Sequence, residues 1–537
     1  MKLDTKKIFY VGLAFFLITL FWQTYDNIIA KILIDKFGLN QTLSGIVMAL
    51  DNVLALILLP FFGWLSDRTN TKIGKRTPYI IVGTIIAAFA FMGLSFVDNQ
   101  QQLQLEAETT ILEDYDSLIE ATRNQSVDAW IMLYENLLDE RDQALDNGII
   151  DLDRYTTQEG SIMDPMRIIL YQGTTPTSSL SDEEVETLTD TYYLYLNQRA
   201  WEVTLKNPTA FIVFASILFV ALVSMSTFRS PAVALMPDVT IKPLRSKANA
   251  IINLLGTFGG ILAIISLTIY GLDQYSYVHY TKAFVTTGVL MLILLAFFLW
   301  KVREPELVKE REQKEQELGI TEEDEEALYH EDHAALSKEK KRSLILILVS
   351  VSLWFTGYNA VTSKLSDYAP KMLDMSFSLP LLVAQGSALL AFVPIGIIAT
   401  KVGRKKTILT GIIMLTVSFA SVYFFVTGHW LIYAIFALTG IAWATINVNS
   451  YPMVVELAKG STVGKYTGYY YTFSMGAQIM TPILSGMLMD LFGRKILFPY
   501  AAFFVFLSFI TMLMVKHGDS IALKKASVIE NFDVDMD

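Results

Sequence analysis

Apolar runs of about twenty residues recur along the whole chain, over 8–34, 40–65, 77–97, 208–236, 247–270, 282–302, 343–364, 379–400, 406–427, 430–455, 466–489 and 497–515. At about 1.5 Å per residue, each run reaches across the roughly 30 Å of hydrocarbon in a bilayer. No water is available there, so each segment must satisfy its own backbone N–H and C=O groups, as a helix does internally. The strict apolar–polar alternation of a membrane barrel is absent. The pattern therefore predicts an all-α integral membrane protein with about twelve transmembrane helices. The first run, Ile8–Ala30 behind Lys2, Lys6 and Lys7, is too long for a signal core and reads as a retained helix.

Two long polar stretches interrupt the series. Residues 98–207 hold 23 acidic and 6 basic side chains, a net of −17 in a chain whose total is −11, which leaves +6 for the remainder. Trp130, Leu133, Leu137 and Leu138 are spaced for a short amphipathic helix over Ala129–Leu145. Residues 303–342 read as a solvated charged helix, Glu304 through Arg342. The expected organisation is three helices in 1–97, an extracytoplasmic insertion over 98–207, and helices four to six in 208–302. A cytoplasmic linker over 303–342, a second six-helix bundle over 343–516 and a cytoplasmic tail over 517–537 follow.

Lys and Arg cluster in alternate short loops: Arg68, Lys72, Lys75 and Arg76; Lys242, Arg245 and Lys247; Lys401, Arg404, Lys405 and Lys406. Short cytoplasmic loops carry such an excess, which puts these loops and both termini inside. Arg494 and Lys495 break the rule on the other side. Charged residues are 18% of the chain, below the ~25% of a soluble protein, and nothing in their arrangement suggests nucleic acid binding. With no cysteine, disulfides and thiolate metal sites are excluded. His330 and His333 are too isolated to mark a metal site, and no metal or cofactor is expected. The insertion has no histidine and no nucleophile–base motif, so an enzyme is not expected.

The two halves echo each other. Gly63–Ile80 reads GWLSDRTNTKIGKRTPYI, and at the corresponding place in the second half stand Gly396, Lys401, Gly403, Arg404, Lys405 and Lys406. Asp238 ends the fourth run and Glu456 the tenth. Such duplication suits a secondary transporter whose substrate sits between two rocking halves. The loop resembles that of the major facilitator superfamily. More narrowly it is similar to the plant sucrose transporters and their bacterial and animal relatives, in the glycoside–pentoside–hexuronide:cation symporter group. Phe228–Asp238 (FRSPAVALMPD) with Lys247, Asn249 and Asn253 resembles the fourth and fifth helices of that group. The resemblance implies two six-helix bundles and proton-coupled uptake of sucrose, maltose or a related glycoside, by a monomer in the plasma membrane. Two departures matter. The region near Leu218 lacks the aspartate of the plant proteins, and Ala55 and Leu59 stand where melibiose-type sodium symporters carry acids. A sodium site of that kind is not expected.

Few charges lie deep in the runs. Arg229 and Asp26 sit about eight residues from a helix end, roughly 12 Å in, and Asp51 about eleven, roughly 16 Å. A charge at the bilayer centre costs about 2.5–3.5 kcal/mol at the least, so each should face a wet cavity or a partner. Arg229 matches the fourth-helix arginine of the sucrose transporters and is expected to bind substrate. Asp26 and Asp51 are candidates for the coupling proton, with a static salt bridge as the alternative. Sugar recognition needs flat apolar faces and amides. Candidates are Trp22, Gln23, Asn27, Asn253, Trp354, Tyr358, Asn359, Gln385, Asn447, Asn449 and Gln478, whereas Trp443, Tyr469, Tyr470 and Tyr471 read as packing or interface residues. Gly63, Asp67, Arg68, Gly74, Arg76, Asp238 and Glu456 form the expected gate, latching the halves in one state. A uniporter, an exporter of small amphipathic compounds and a transporter-like sensor are the competing readings.

Overall fold

The computed structural model describes residues 4–107, 109–241, 244–317, 337–425, 427–457 and 463–518. Among them, twelve helices are long and apolar enough to cross a membrane. In the first half these are α1 (Thr5–Lys31, continued as a π-helical turn Ile32–Lys36), α2 (Gln41–Arg68) and α3 (Thr77–Ala107), then, after the insertion, α9 (Thr209–Val239), α10 (Arg245–Ile269) and α11 (Thr281–Lys301). In the second half they are α13 (Lys338–Met372), α14 (Ser378–Val402), α15 (Arg404–Val422), α16 (Trp430–Val455), α17 (Val463–Phe492) and α18 (Leu497–Leu513). Prolines 60, 231, 237, 370, 394, 452 and 482 lie inside these helices, as neighbouring helices in a membrane protein permit.

Packing follows the sequence halves. In the first, α1 lies against α10 and α3 against α9 and α11; in the second, α14 and α15 lie against α16, and α13 and α15 against α18. The halves meet mainly where α2 runs along α17, with smaller contacts of α1 with α13 and α10 with α14. Small residues set the α2–α17 distance: a Cβ on Gly45 would stand 2.2 Å from the Pro482 carbonyl oxygen, and one on Gly486 would stand 2.3 Å from that of Gln41.

The insertion is a folded helical cap, well beyond the single expected helix. It comprises α4 (Thr109–Asn124), α5 (Val127–Asp146), α6 (Leu152–Gln158), α7 (Asp164–Leu170), a minimal hairpin of β1 (Tyr171–Gln172) and β2 (Thr175–Pro176), and α8 (Asp182–Lys206). Its helices start at legible signals. Ser126 accepts from the Ala129 N–H, and Ser181 with Glu184 forms a capping box. Trp130, Leu133, Leu137, Ile162, Met166, Tyr192 and Leu196 form its own core. Two boundaries move with it: α3 runs to Ala107 rather than residue 97, and α13 to Met372 rather than 364. These added turns carry polar side chains whose partners come from the α1 extension, the cap and the α17–α18 turn.

The linker also departs from expectation. Its first part, α12 (Glu304–Glu317), is docked rather than solvated: Glu304 is 2% exposed, and Glu310 pairs with Lys7 at 2.5 Å. Lys242, His330, His333, linker residues 318–336 and the tail after 518 lie outside the described residues, while the end of the expected linker, Lys338–Arg342, forms the first turn of α13.

Candidate functional site

The middle of the molecule brings several of the expected residues together. On α1, Trp22, Gln23 and Asp26 are half-buried within one turn of each other. The Gln385 amide of α14 donates to the Gln23 Oε1 at 3.1 Å, a hydrogen bond that bridges the halves. Asp26 on α1, Asp51 on α2 and Arg229 on α9 are close enough for their charges to act on one another, and each residue is half-buried. The Asp51 carboxylate also accepts from the Asn52 backbone and side-chain nitrogens, at 2.5 and 2.8 Å. Across the divide, the rings of Tyr358 and Trp443 stack at 3.7 Å and 5°, with Phe355 edge-on to Trp443. Two donors in this layer, Trp22 Nε1 and Asn359 Nδ2, are buried with no acceptor. Such orphans are costly unless a ligand or water supplies the oxygen.

The other candidates differ in burial and in partners. Trp354 is fully buried within the helix core, so in this conformation it packs rather than offers a face. Asn27 is 2% exposed and gives its amide hydrogen to the Gln23 carbonyl, as Asn449 does to that of Thr445. Each thus commits one of its two amide hydrogens to its own helix. Asn253 and Asn447 are buried and Gln478 is half-buried. Trp443, read from sequence as packing, joins Tyr358 in the stacked pair.

At the end that carries the cap, a buried charge network joins the halves, and the sequence reading missed it. Lys371 of α13 donates to Asp35 of the α1 extension at 2.5 Å and also to Asp367. Asp367 accepts from Arg494 Nε at 3.0 Å and from Gln41 Nε2 at 2.6 Å, while Lys364 donates to Gln41 O and Oε1, both at 3.0 Å. Asp490 of α17 accepts from the Gln41 and Thr42 backbone nitrogens at 2.8 Å, capping the start of α2 from the opposite half. The signal was present in the sequence. Lys364, Asp367 and Lys371 are spaced i, i+3, i+7, on one helix face, but charges at the edge of an apolar run look like ordinary interfacial anchors. Above the network, Arg494 also pairs with Asp190 of the cap, and Lys495 donates to Glu186 at 2.9 Å. Burial pushes the Glu186 carboxyl above its ordinary range, against the pull of Lys495. The two basic residues that broke the loop-charge pattern are thus partnered by the acidic insertion.

At the opposite end, the loop within Gly63–Ile80 is organised within one half. Arg76, 6% exposed, pairs with Asp67 at 2.5 Å and with Asp238 at 2.7 Å, all three in the first half. Arg68 lies over the Trp64 ring at 4.2 Å. Glu456 pairs with Arg404 inside the second half. None of these three ion pairs latches one half to the other: among the described residues they tie helix ends together within each bundle. Glu304 explains the spacing of the loop. Its carboxylate accepts from the Lys75 N–H at 2.6 Å, the Arg76 N–H at 3.0 Å, and the Thr77 N–H and hydroxyl at 2.8 and 2.7 Å, capping α3. Gly74 has φ +115°, and a Cβ there would stand 2.3 Å from the Glu304 carboxyl carbon, so only glycine fits.

Residues 30–500 match the profile of the MFS_1 like family. The chain belongs to that family. The xylose transporter XylE from E. coli, in an inward open conformation, superimposes with a TM-score of 0.56 over 98% of both chains at 12% identity. A peptide transporter POT bound to alafosfalin superimposes with a TM-score of 0.57, over 95% of this chain and 93% of that one, at 11% identity. These likenesses show the fold. Among sequences, the uncharacterized symporter YnaJ of Bacillus subtilis (strain 168) is 27% identical over 139 residues, 23% of this chain and 30% of that protein. YdfJ of Escherichia coli (strain K12) is 33% identical over 72 residues, 13% of this chain and 16% of that protein. The matched stretches thus span less than a third of either relative.

As a member of the MFS_1 like family, the chain is a multi-pass membrane transporter of the major facilitator fold and not an enzyme. Membership also orders the residues above. The stacked rings, the amide bridge and the acid–arginine trio lie between the bundles, where transporters of this architecture bind their cargo.

Proposed function

We propose that this transporter takes up a sugar or glycoside, a disaccharide of the sucrose or maltose kind, by proton-coupled alternating access. The observation that carries the reading is the half-buried trio of Asp26, Asp51 and Arg229 beside the Gln23–Gln385 bridge. Arg229 offers a planar fork to hydroxyl oxygens, the amides offer paired donors and acceptors, and the Tyr358–Trp443 face suits a pyranose ring. Two carboxylates acting on one arginine leave a net negative charge that a proton on Asp26 or Asp51 neutralises. Proton and sugar then share one site: a bound proton frees Arg229 from one carboxylate and turns it to the sugar.

In this reading the cap is extracellular, the membrane is the plasma membrane and the protein works as a monomer. The described hydrogen bonds and ion pairs between halves run from the Gln23–Gln385 level to the cap. The conformation then corresponds to a closed outer gate, with the halves free to part on the cytoplasmic side. The resemblance of Gly63–Ile80 and Phe228–Asp238 to sucrose transporters supports the substrate class.

Purified protein in proteoliposomes tests this. An inward proton gradient should drive accumulation of labelled disaccharide, and Arg229→Ala should abolish it while the protein still inserts and elutes as a single species. Accumulation indifferent to the gradient would replace symport by facilitated exchange, and normal uptake by Arg229→Ala would remove that residue from the site.

A further inference from the structure

The cap is fixed to one half and holds the other. We propose that it is a clasp on the gate at its own end, gripping the second bundle at Gly493–Lys495 and setting how readily that gate opens. The idea rests on alternating access but not on the nature of the substrate.

The fixed side is extensive. Helix α3 passes unbroken from the membrane to Ala107 at the start of the cap, and α8 leads back into α9 across two residues. Asp98 of α3 pairs with Lys36 at 2.5 Å, both side chains wholly buried, and accepts from the Tyr280 N–H at 3.0 Å. Asn197 of α8 donates to the Ile34 and Leu39 carbonyls at 2.8 and 3.1 Å. The Tyr115 hydroxyl accepts from the Ser276 N–H at 2.9 Å. All of these partners belong to the first half.

Arg123 of α4 reaches Asp374 of the second half in a half-exposed ion pair at 3.3 Å, but the buried grip is compact. Glu186 and Asp190 are one turn apart on the same face of α8 and meet consecutive residues of the α17–α18 turn. Asp190 accepts from the Arg494 backbone N–H at 3.1 Å as well as from its guanidinium. The turn is shaped for it: Gly493 has φ +79°, and a Cβ there would stand 2.7 Å from Asp190 Oδ2. Between the grip and the gate network lies Tyr193, whose ring centre is 5.0 Å from Lys371 Nζ and 5.7 Å from the Arg494 guanidinium carbon.

When the bundles part at this end, Gly493–Lys495 moves with the second half while α8 stays with the first. The pairs to Asp190 and Glu186 must then break. Arg494 is not stranded, because Asp367 in its own half still accepts from it at 3.0 Å. That second partner makes the contact reversible: it resists opening without forbidding it. An inert insertion would have no reason to aim two carboxylates at the residues that violate the loop-charge pattern.

The chain has no cysteine, so Lys282→Cys on α11 and His429→Cys at the start of α16 place two spin labels at exposed sites, one on each half. Electron resonance then reads the distance across the gate in nanodiscs. Glu186→Lys, which sets like charges together, and Asp190→Ala, which removes the carboxylate that Arg494 meets across the gate while Asp367 still holds it, should each raise the ratio of long to short distances roughly tenfold. Adding Lys495→Glu to Glu186→Lys should restore the short distance, which generalised loss of cap structure would not. Gly486→Trp, a wedge where α17 touches α2, is the control. If the wedge lengthens the distance and neither clasp variant does, or if the swap fails to rescue, the clasp is overturned while alternating access stands. If the wedge also changes nothing, alternating access at this end fails and the clasp with it.

Discussion

Glu304 shows how much one buried carboxylate can organise. It satisfies three backbone donors at the start of α3, and Gly74 makes room for it. Glu304→Ala orphans those donors and should cost about 1–3 kcal/mol, read as a lower Tm in detergent. Gly74→Ala should also destabilise, but less so in the Glu304→Ala background, because the clash disappears with the side chain. Equal penalties in both backgrounds would break the link between the two residues. In the cap, Asp114 is 6% exposed, one carboxylate oxygen lacks a partner, and burial pushes its carboxyl up to about 7, with Glu140 adding to the rise and Arg199 opposing it. The folded cap therefore binds this proton more tightly than the unfolded chain. Its stabilising effect is full below the ordinary aspartate range and is lost as pH rises towards about 7. Asp114→Asn should flatten the pH dependence of cap unfolding between roughly pH 4 and 7, followed by tryptophan fluorescence. An unchanged profile would exclude Asp114 as its source.

At the scale of elements, polar extensions of transmembrane helices hold because another element covers them. The turn Ile32–Lys36 and the end of α3 both leave the apolar register, and the Lys36–Asp98 pair fastens one to the other. Asp98→Ala leaves a wholly buried ammonium without its carboxylate, a loss of about 3–5 kcal/mol. The paired change Lys36→Met with Asp98→Leu should recover most of it. Thermal unfolding of the three variants checks this, and a double variant no better than the single one would mean the pair also positions the cap. Elements with strong local signals were legible from sequence, among them the twelve apolar helices and the amphipathic stretch around Trp130. The remaining cap helices were not, since their apolar residues are sparse and their stability comes from a core they form only together.

At the scale of the molecule, the closed gate stands on a ladder of charges spanning both halves. Lys371→Met leaves Asp35 and Asp367 buried without their shared ammonium. The closed arrangement should weaken by about 3–5 kcal/mol. Ser44, fully buried beside Gly45, reports on it as Ser44→Cys. The thiol should resist maleimide in the otherwise natural chain and react readily with Lys371→Met. Equal protection in both would show that helix packing alone keeps this end shut.

The sequence alone determined the number and position of the membrane helices, the two-half plan, the insertion and the isolated acids and arginine in the hydrocarbon. These are matters of solvent: an apolar run long enough to span, or a charge too deep to be casual, has the same meaning whatever surrounds it. Only the tertiary structure decided which end of each ion pair meets which. Arg76 answers Asp67 and Asp238 within one bundle, Glu304 returns from the end of α11 to cap α3, and Lys371 bridges Asp35 and Asp367 across the interface. The cost of a buried charge depends on its partner, and partners hundreds of residues apart are chosen by packing.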